Sequence, residues 1–216
     1  MERYIVEMEH INKSFPGVKA LDDVSFCLRA GEVMALLGEN GAGKSTLMKI
    51  LSGVYQKDSG TIHIFGKEVQ DLNPKKAQEL GVAIIHQELN LCGHLTVAEN
   101  IFLGHETMKK GLLSDKEMRL KAKKVLDELN MDISADAVVG DLAVSKQQMI
   151  EIAKALSINA KILIMDEPTS ALTSKEIEDL FVIIRKLTSQ GMGIVYISHR
   201  LEELQHIVDR ITIMRD

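Results

Sequence analysis

One short stretch constrains this chain more than any other. After the apolar run Val33 to Leu37 the sequence reads Gly38-Glu39-Asn40-Gly41-Ala42-Gly43-Lys44-Ser45-Thr46, and a helical pattern then runs from Gly43 to Leu51 and stops at Gly53. The spacing G-x-x-x-x-G-K-[ST] behind a strand and at a helix start is that of a phosphate-binding loop. Its glycines let main-chain N–H groups wrap phosphate oxygens, and the helix N-terminus adds a favourable dipole. Gly38, Asn40, Gly41, Ala42, Gly43, Lys44, Ser45 and Thr46 are the candidate phosphate contacts. Lys44 is expected to reach the β- and γ-phosphates of a nucleotide, and the Ser45 hydroxyl to ligate Mg²⁺. With glycine near 7% of residues, a chance match in a chain this long has odds on the order of one per cent.

Such a loop needs a sheet around the strand that feeds it. Val33 to Leu37 suits a strand buried on both faces. Tyr4 to Ile11 alternates loosely, Val24 to Leu28 is short and apolar, and Thr61 to Phe65 and Val82 to His86 read as further strands, so the first third is expected to hold strands and one helix. Thr96-x-x-Glu99, Ser114-x-x-Glu117 and Ser145-x-x-Gln148 are capping boxes, each marking a helix start. The second opens the charged, periodic stretch Lys116 to Asn130, and the third a helix through about Leu156. Residues from about 88 to 158 therefore read as a helical insertion. Alternation then returns. Ile162 to Met165 is a buried strand. Thr173-x-x-Glu176 caps a helix with Ile177, Leu180, Phe181, Ile184 and Leu187 on one face, ended by Gly191. The strand Gly193 to Ser198, a helix from about Arg200 to Val208 and the strand Ile211 to Met214 follow. Strands alternating with helices argue an α/β chain with a parallel sheet. The chain stops at Asp216 directly after a strand, as expected of a trimmed piece.

Composition narrows the function classes. The 216 residues suffice for one domain, or two small ones, with a core that needs no disulfide or metal. Apolar residues at 45%, charged residues at 26% and only three prolines describe a folded globule. Lys plus Arg is 26 against Asp plus Glu 31, a net charge of −5, which argues against a binder of nucleic-acid backbone. Cys27 and Cys92 make no disulfide framework and fit a reducing cytosol. Met1-Glu2-Arg3-Tyr4 lacks the order of a signal peptide, and no run approaches about 18 apolar residues. Work at a membrane would need a partner.

Three further positions carry chemistry. Ile162-Leu163-Ile164-Met165-Asp166-Glu167 is an apolar strand ending in two carboxylates. Beside a phosphate loop, Asp166 is expected to hold Mg²⁺ and Glu167 to polarise a water, because ligands of such sheets bind beyond the strand carboxyl ends. His199 follows the strand Gly193 to Ser198, within reach of a γ-phosphate or the attacking water. Gln87 follows the strand Val82 to His86 and is a candidate contact to Mg²⁺ or water.

Together these stretches resemble the ATP-binding cassette ATPases, the nucleotide-binding domains of transporters, over the whole chain. The resemblance implies an α/β P-loop NTPase fold with a parallel-sheet core, an antiparallel β part and a helical subdomain. It implies one cassette with two lobes, residues 1–87 and 159–216 forming the nucleotide-binding core and 88–158 the helical lobe. Phe15 matches the family's adenine-stacking aromatic, Gln87 its glutamine loop, and His199 its switch histidine. ATP and Mg²⁺ are the implied ligands, with Ser45, Gln87 and Asp166 on the metal. The implied partners are a second nucleotide-binding domain, membrane permease subunits and, indirectly, a sugar-binding protein outside the cell, with no nucleic acid. The implied place of work is the cytoplasmic face of the membrane.

The family signature Leu-Ser-Gly-Gly-Gln is altered here. The matching stretch is Leu142-Ala143-Val144-Ser145-Lys146, and Thr173 stands where the family usually has Asp. These departures, with His86-Gln87-Glu88-Leu89, Gln147 to Lys154 and Val195 to Arg200, resemble the N-terminal member of the fused ATPase pairs of bacterial monosaccharide importers. A soluble cassette ATPase of DNA repair or translation is the second expectation, disfavoured by the absence of a long coiled-coil insertion or basic surface. A P-loop kinase is the third, with no use for a signature-like helix start.

Overall fold

Val33–Leu37 can hide its apolar side chains only inside a sheet, and that is where it lies. The structure, a computed structural model, describes residues 4–106, 108–109 and 112–215. The chain divides into two compact units: Met1–Ile84, Ala160–Glu167 and Ile184–Asp216 form the first, Ile85–Asn159 and Pro168–Ile183 the second.

The first unit begins with β1 (Tyr4–Phe15), β2 (Val18–Arg29), β3 (Val33–Leu37), α1 (Lys44–Leu51), β4 (Ser59–Ile64), β5 (Lys67–Glu68) and α2 (Pro74–Glu79). After β6 (Val82–Ile85) the chain enters the second unit, with α3 (Val97–Phe102), β7 (Met108–Lys109), β8 (Leu112–Leu113), α4 (Asp115–Glu128) and α5 (Val144–Ser157). It then forms β9 (Ile162–Asp166), α6 (Ser174–Ser189), β10 (Gly193–Ile197), α7 (Leu201–Ile207) and β11 (Arg210–Ile213).

A five-stranded sheet has the order β11-β3-β10-β9-β6, and β11, β3, β10 and β9 run parallel. Its central strands are apolar on both faces, as parallel sheets require: Val33, Met34, Ala35, Leu36, Ile162, Leu163, Ile164 and Met165 have no exposed surface. A second sheet, β2-β1-β4-β5, is antiparallel. Ile5, Val6, Met8 and Leu28 from that sheet and Leu47, Ile50 and Leu51 from α1 share one core cluster with Met34, Ile164 and Val195. The core thus clamps α1, and with it the loop ahead of it.

Three local expectations need correction. The first third holds two helices rather than one. Asn73 caps α2 by accepting the Lys76 N–H at 2.9 Å, with Pro74 in the first turn. Ser145 is not a cap: α5 starts at Val144, with Ala143 at its N-cap, two residues ahead of Ser145, and no side-chain cap bond. Gln148, expected to close that box, is buried with its Nε2 unpartnered. Ser114 sits at the start of α4 but makes no cap bond. Thr96 does form a full box: its N–H donates to Glu99 at 2.8 Å and its hydroxyl accepts the Glu99 N–H at 3.3 Å. In the second unit α3, α4 and α5 pack on one another. No helix among the described residues is long and apolar enough to cross a membrane.

Candidate functional site

Strand register decides which residues share the carboxyl edge of the parallel sheet. Tyr196 pairs with Ala35 and with Met165, and Ile197 with Asp166. The segments leaving β3, β9 and β10 therefore emerge side by side. They carry Gly38 to Thr46, Glu167 and His199, all within the first unit.

The loop is held by close packing at both ends. Gly38 has φ +155°, and a Cβ there would lie 2.6 Å from the Met214 carbonyl oxygen. Gly43 caps α1 at φ +86°, and a Cβ would meet the Ala20 carbonyl oxygen at 2.5 Å and a Leu21 methyl at 2.6 Å. Gly41, at φ +97°, has nothing within 4 Å of that position, so the middle of the loop faces open space. Lys44 is 8% exposed; its Nζ donates to the Gly38 and Glu39 carbonyl oxygens at 2.7 and 2.9 Å. Its charge is thereby folded back over the loop. Ser45 is exposed in the first turn of α1, where main-chain N–H groups have no partner inside the helix. This set of donors fits an anion of phosphate size and polarity.

Glu167 carries two costs at once. Its φ is +51°, a left-handed conformation that strains a residue with a Cβ by about 1–2 kcal/mol. Its Oε1 is buried without a hydrogen-bond donor. The His199 Nε2 lies 3.3 Å away, an ion-pair contact when the ring is protonated. Among the described residues it is the one carboxylate oxygen left in this state. Burial is the main force pushing the Glu167 carboxyl above its ordinary value, with the Asp166 charge adding to it, while the His199 ring and main-chain N–H pull it back. A strained acid with a buried, unsatisfied oxygen makes Glu167 a candidate for chemistry at this edge. The turn bearing His199 is pinned by Glu203 of α7, itself 7% exposed. Glu203 accepts from the Tyr196 hydroxyl at 3.1 Å and from Arg200 at 3.2 Å, and the Ser198 Oγ accepts the Arg200 N–H at 3.0 Å. Sequence reasoning passed over Glu203; the signal available was a glutamate one helical turn after His199.

Phe15, half-buried at the end of β1, meets Tyr55 edge-to-face at 5.3 Å between centroids, and Lys13 Nζ lies 5.4 Å from its ring centre. The neighbouring strand β2 supplies the Ala20 and Leu21 atoms that crowd Gly43, so hairpin and loop belong to one packed unit. Gln87 is exposed two residues beyond β6 and belongs to the second unit. So do the signature-like residues. The hydroxyl of Ser145 turns to Glu176, where it and the Thr173 N–H and hydroxyl, both at 2.8 Å, hold the carboxyl below its ordinary value.

A glycine loop feeding a helix at the carboxyl edge of a parallel sheet, with an acid closing a strand two places along the same sheet, defines a P-loop NTPase. Residues 21–170 match the ABC transporter family, and the chain belongs to it. It is 54% identical over 213 residues to the galactose/methyl galactoside import ATP-binding protein of Escherichia coli, covering 99% of this chain and 42% of that one. It is 58% identical over 212 residues to an Agrobacterium fabrum protein named for ribose/galactose/methyl galactoside import, covering 98% and 42%. The chain thus spans less than half the length of these relatives. Among solved structures, an ATP-binding cassette of an ABC transporter in its ADP conformation matches with a TM-score of 0.88 at 30% identity, over 98% of this chain and 87% of that one.

Proposed function

We propose that this chain binds MgATP at the Gly38 to Thr46 loop and hydrolyses it to drive import of a monosaccharide through a membrane permease. The observation that carries the reading is the placement, at the carboxyl edge of one parallel sheet, of the Lys44 loop after β3 and of Glu167, with its buried Oε1 lacking a hydrogen bond, after β9. Lys44 and the N–H groups of the loop hold the β- and γ-phosphates. Ser45, Asp166 and Gln87 hold the metal, and Phe15 takes the adenine. When bound, Mg²⁺ neutralises charge on the phosphate oxygens. Glu167 accepts a proton from the attacking water at its carboxylate. A carboxyl lifted by burial is a better base than an ordinary one. His199 orients the water or the γ-phosphate from the neighbouring strand end.

The first unit is read as the nucleotide-binding lobe and the second as the helical lobe, whose signature-like stretch serves a second nucleotide-binding domain. The names of the relatives support a sugar of the ribose or galactose class. On this reading the chain works at the cytoplasmic face of the membrane with permease subunits and, indirectly, with a sugar-binding protein outside the cell. Radiolabelled sugar uptake and MgATP turnover by the assembled transporter test this. Lys44→Ala is expected to abolish both. Uptake that persists without turnover contradicts the reading.

A further inference from the structure

Glu151 is a charged residue where its helix is otherwise packed away. In α5 it stands among Ile150, Ile152 and Ala153, none with any exposed surface, and is itself 7% exposed. Burial lifts its carboxyl above the ordinary value, against the pull of the Asn90 N–H and then of Lys154 and His86. An apolar side chain would avoid that penalty. What Glu151 does is accept, at Oε1, the main-chain N–H of Asn90 at 2.7 Å. Asn90 lies in the segment that leaves β6, three residues after Gln87.

The same segment is tied a second time. Asn100 of α3, with no exposed surface, accepts the Cys92 N–H at 2.8 Å and donates to the Cys92 and Thr96 carbonyl oxygens, each at 3.0 Å. Both anchors lie inside the second unit. Between β6 and the Asn90 anchor, Gln87 and Glu88 are exposed. The Glu151 bond therefore fixes the far end of a short tether that carries Gln87. It also joins that tether to the helix whose first turn holds the signature-like residues.

We propose that Glu151 is a positioning residue for Gln87, holding the segment that bears it against α5 through the Asn90 N–H. This rests on the reading of Gln87 as a metal and water contact. Glu151 itself touches neither ligand nor water in the reaction.

The test is a mutant cycle in the assembled transporter, using Glu151→Met, Glu151→Gln, Gln87→Ala and the double variant Glu151→Met with Gln87→Ala. Met fills the same space without an acceptor, so folding is retained and the bond alone is lost; Gln keeps an acceptor oxygen at the same reach. Glu151→Met is expected to lower kcat for MgATP by about 10- to 100-fold with KM changed less than about twofold, the size of effect that small misplacement of a catalytic group produces. Glu151→Gln is expected to keep at least about half of the wild-type kcat. In the Gln87→Ala background Glu151→Met is expected to cost less than about a further twofold, because the two residues act through one segment. Hydrogen exchange at the Asn90 amide should quicken in the Met variant while α5 stays protected. The proposal is overturned by equal losses in both backgrounds, by a Gln variant as impaired as Met, or by an Asn90 amide that exchanges as before. If Gln87→Ala alone leaves turnover unchanged while the Asn90 amide still depends on Glu151, the reading of Gln87 is what falls.

Discussion

Glu167→Gln keeps the shape of the side chain and removes its ability to take a proton. The usual consequence of deleting a carboxylate is that its donors are stranded, at about 1–3 kcal/mol each when buried. Here the cost is smaller, because Oε1 has no donor to lose, the glutamine carbonyl can still accept the His199 main-chain N–H, and the Asp166 charge beside it is relieved of a like neighbour. Folding stability is therefore expected to change by less than about 0.5 kcal/mol, as at sites without a specific interaction to break. Turnover has no such protection. General-base assistance contributes about 10²–10⁴-fold, which is about 3–5 kcal/mol of barrier. The account thus separates two quantities in one variant: a melting curve that superposes on the wild type, and single-turnover hydrolysis slowed by that factor with MgATP affinity kept. Wild-type hydrolysis in the assembled transporter would show that another group activates the water. A variant that loses stability and affinity together would show that Glu167 is structural.

Other expectations follow from the same geometry. Gly43→Ala should cost about 2–5 kcal/mol in denaturant unfolding, from left-handed strain plus overlap with the Ala20 carbonyl and Leu21, whereas Gly41→Ala, with open space around it, should cost only the strain of about 1–2 kcal/mol; equal costs would refute the packing argument. Tyr196→Phe should lower stability by about 1.5–3 kcal/mol by withdrawing a donor from the buried Glu203 carboxylate, with unchanged urea unfolding as the contrary result. Glu99 is held below its ordinary value of 4.5 by the Thr96 N–H and hydroxyl. A carboxylate whose folded value is depressed stabilises above the unfolded value and loses that contribution as pH falls through the folded one. The stability gap between wild type and Glu99→Gln should therefore be constant above about pH 5.5 and shrink below pH 4.5; a gap that widens on acidification would reverse the sign.

Much of this fold was legible because apolar runs and glycine spacing leave few alternatives. Val33–Leu37, Ile162–Asp166 and Gly193–Ile197 are strands within a residue or so of where their composition puts them. The loop between Gly38 and Lys44 was readable for the same reason: its glycines take positive φ or crowd backbone where a Cβ would not fit. Other features depend on burial, which residue type does not reveal. Glu151 and Glu203 look like solvated helix charges until packing encloses them. The twelve-residue strands β1 and β2 were read too short, because exposed Asp22 and Asp23 interrupt the ladder at an irregularity, beyond which it resumes at Lys13 with Leu21, Ser14 with Lys19 and Phe15 with Val18. The Asn73-Pro74 start of α2 was a readable signal that went unused. Ser145 misled because a box pattern names the residues that can cap, not the one at which the helix begins; the main chain turns helical one residue earlier and frees the hydroxyl for Glu176.

The central claim is that Lys44 and its loop hold the phosphates of a nucleotide. Isothermal titration of MgATP into wild type and Lys44→Ala, both checked for intact folding, measures it directly. Removing the one ammonium folded over the loop should weaken binding by at least about tenfold, the equivalent of roughly 1.4 kcal/mol and the lower end expected for a charge-assisted phosphate contact. Equal affinities for the two proteins would contradict the account.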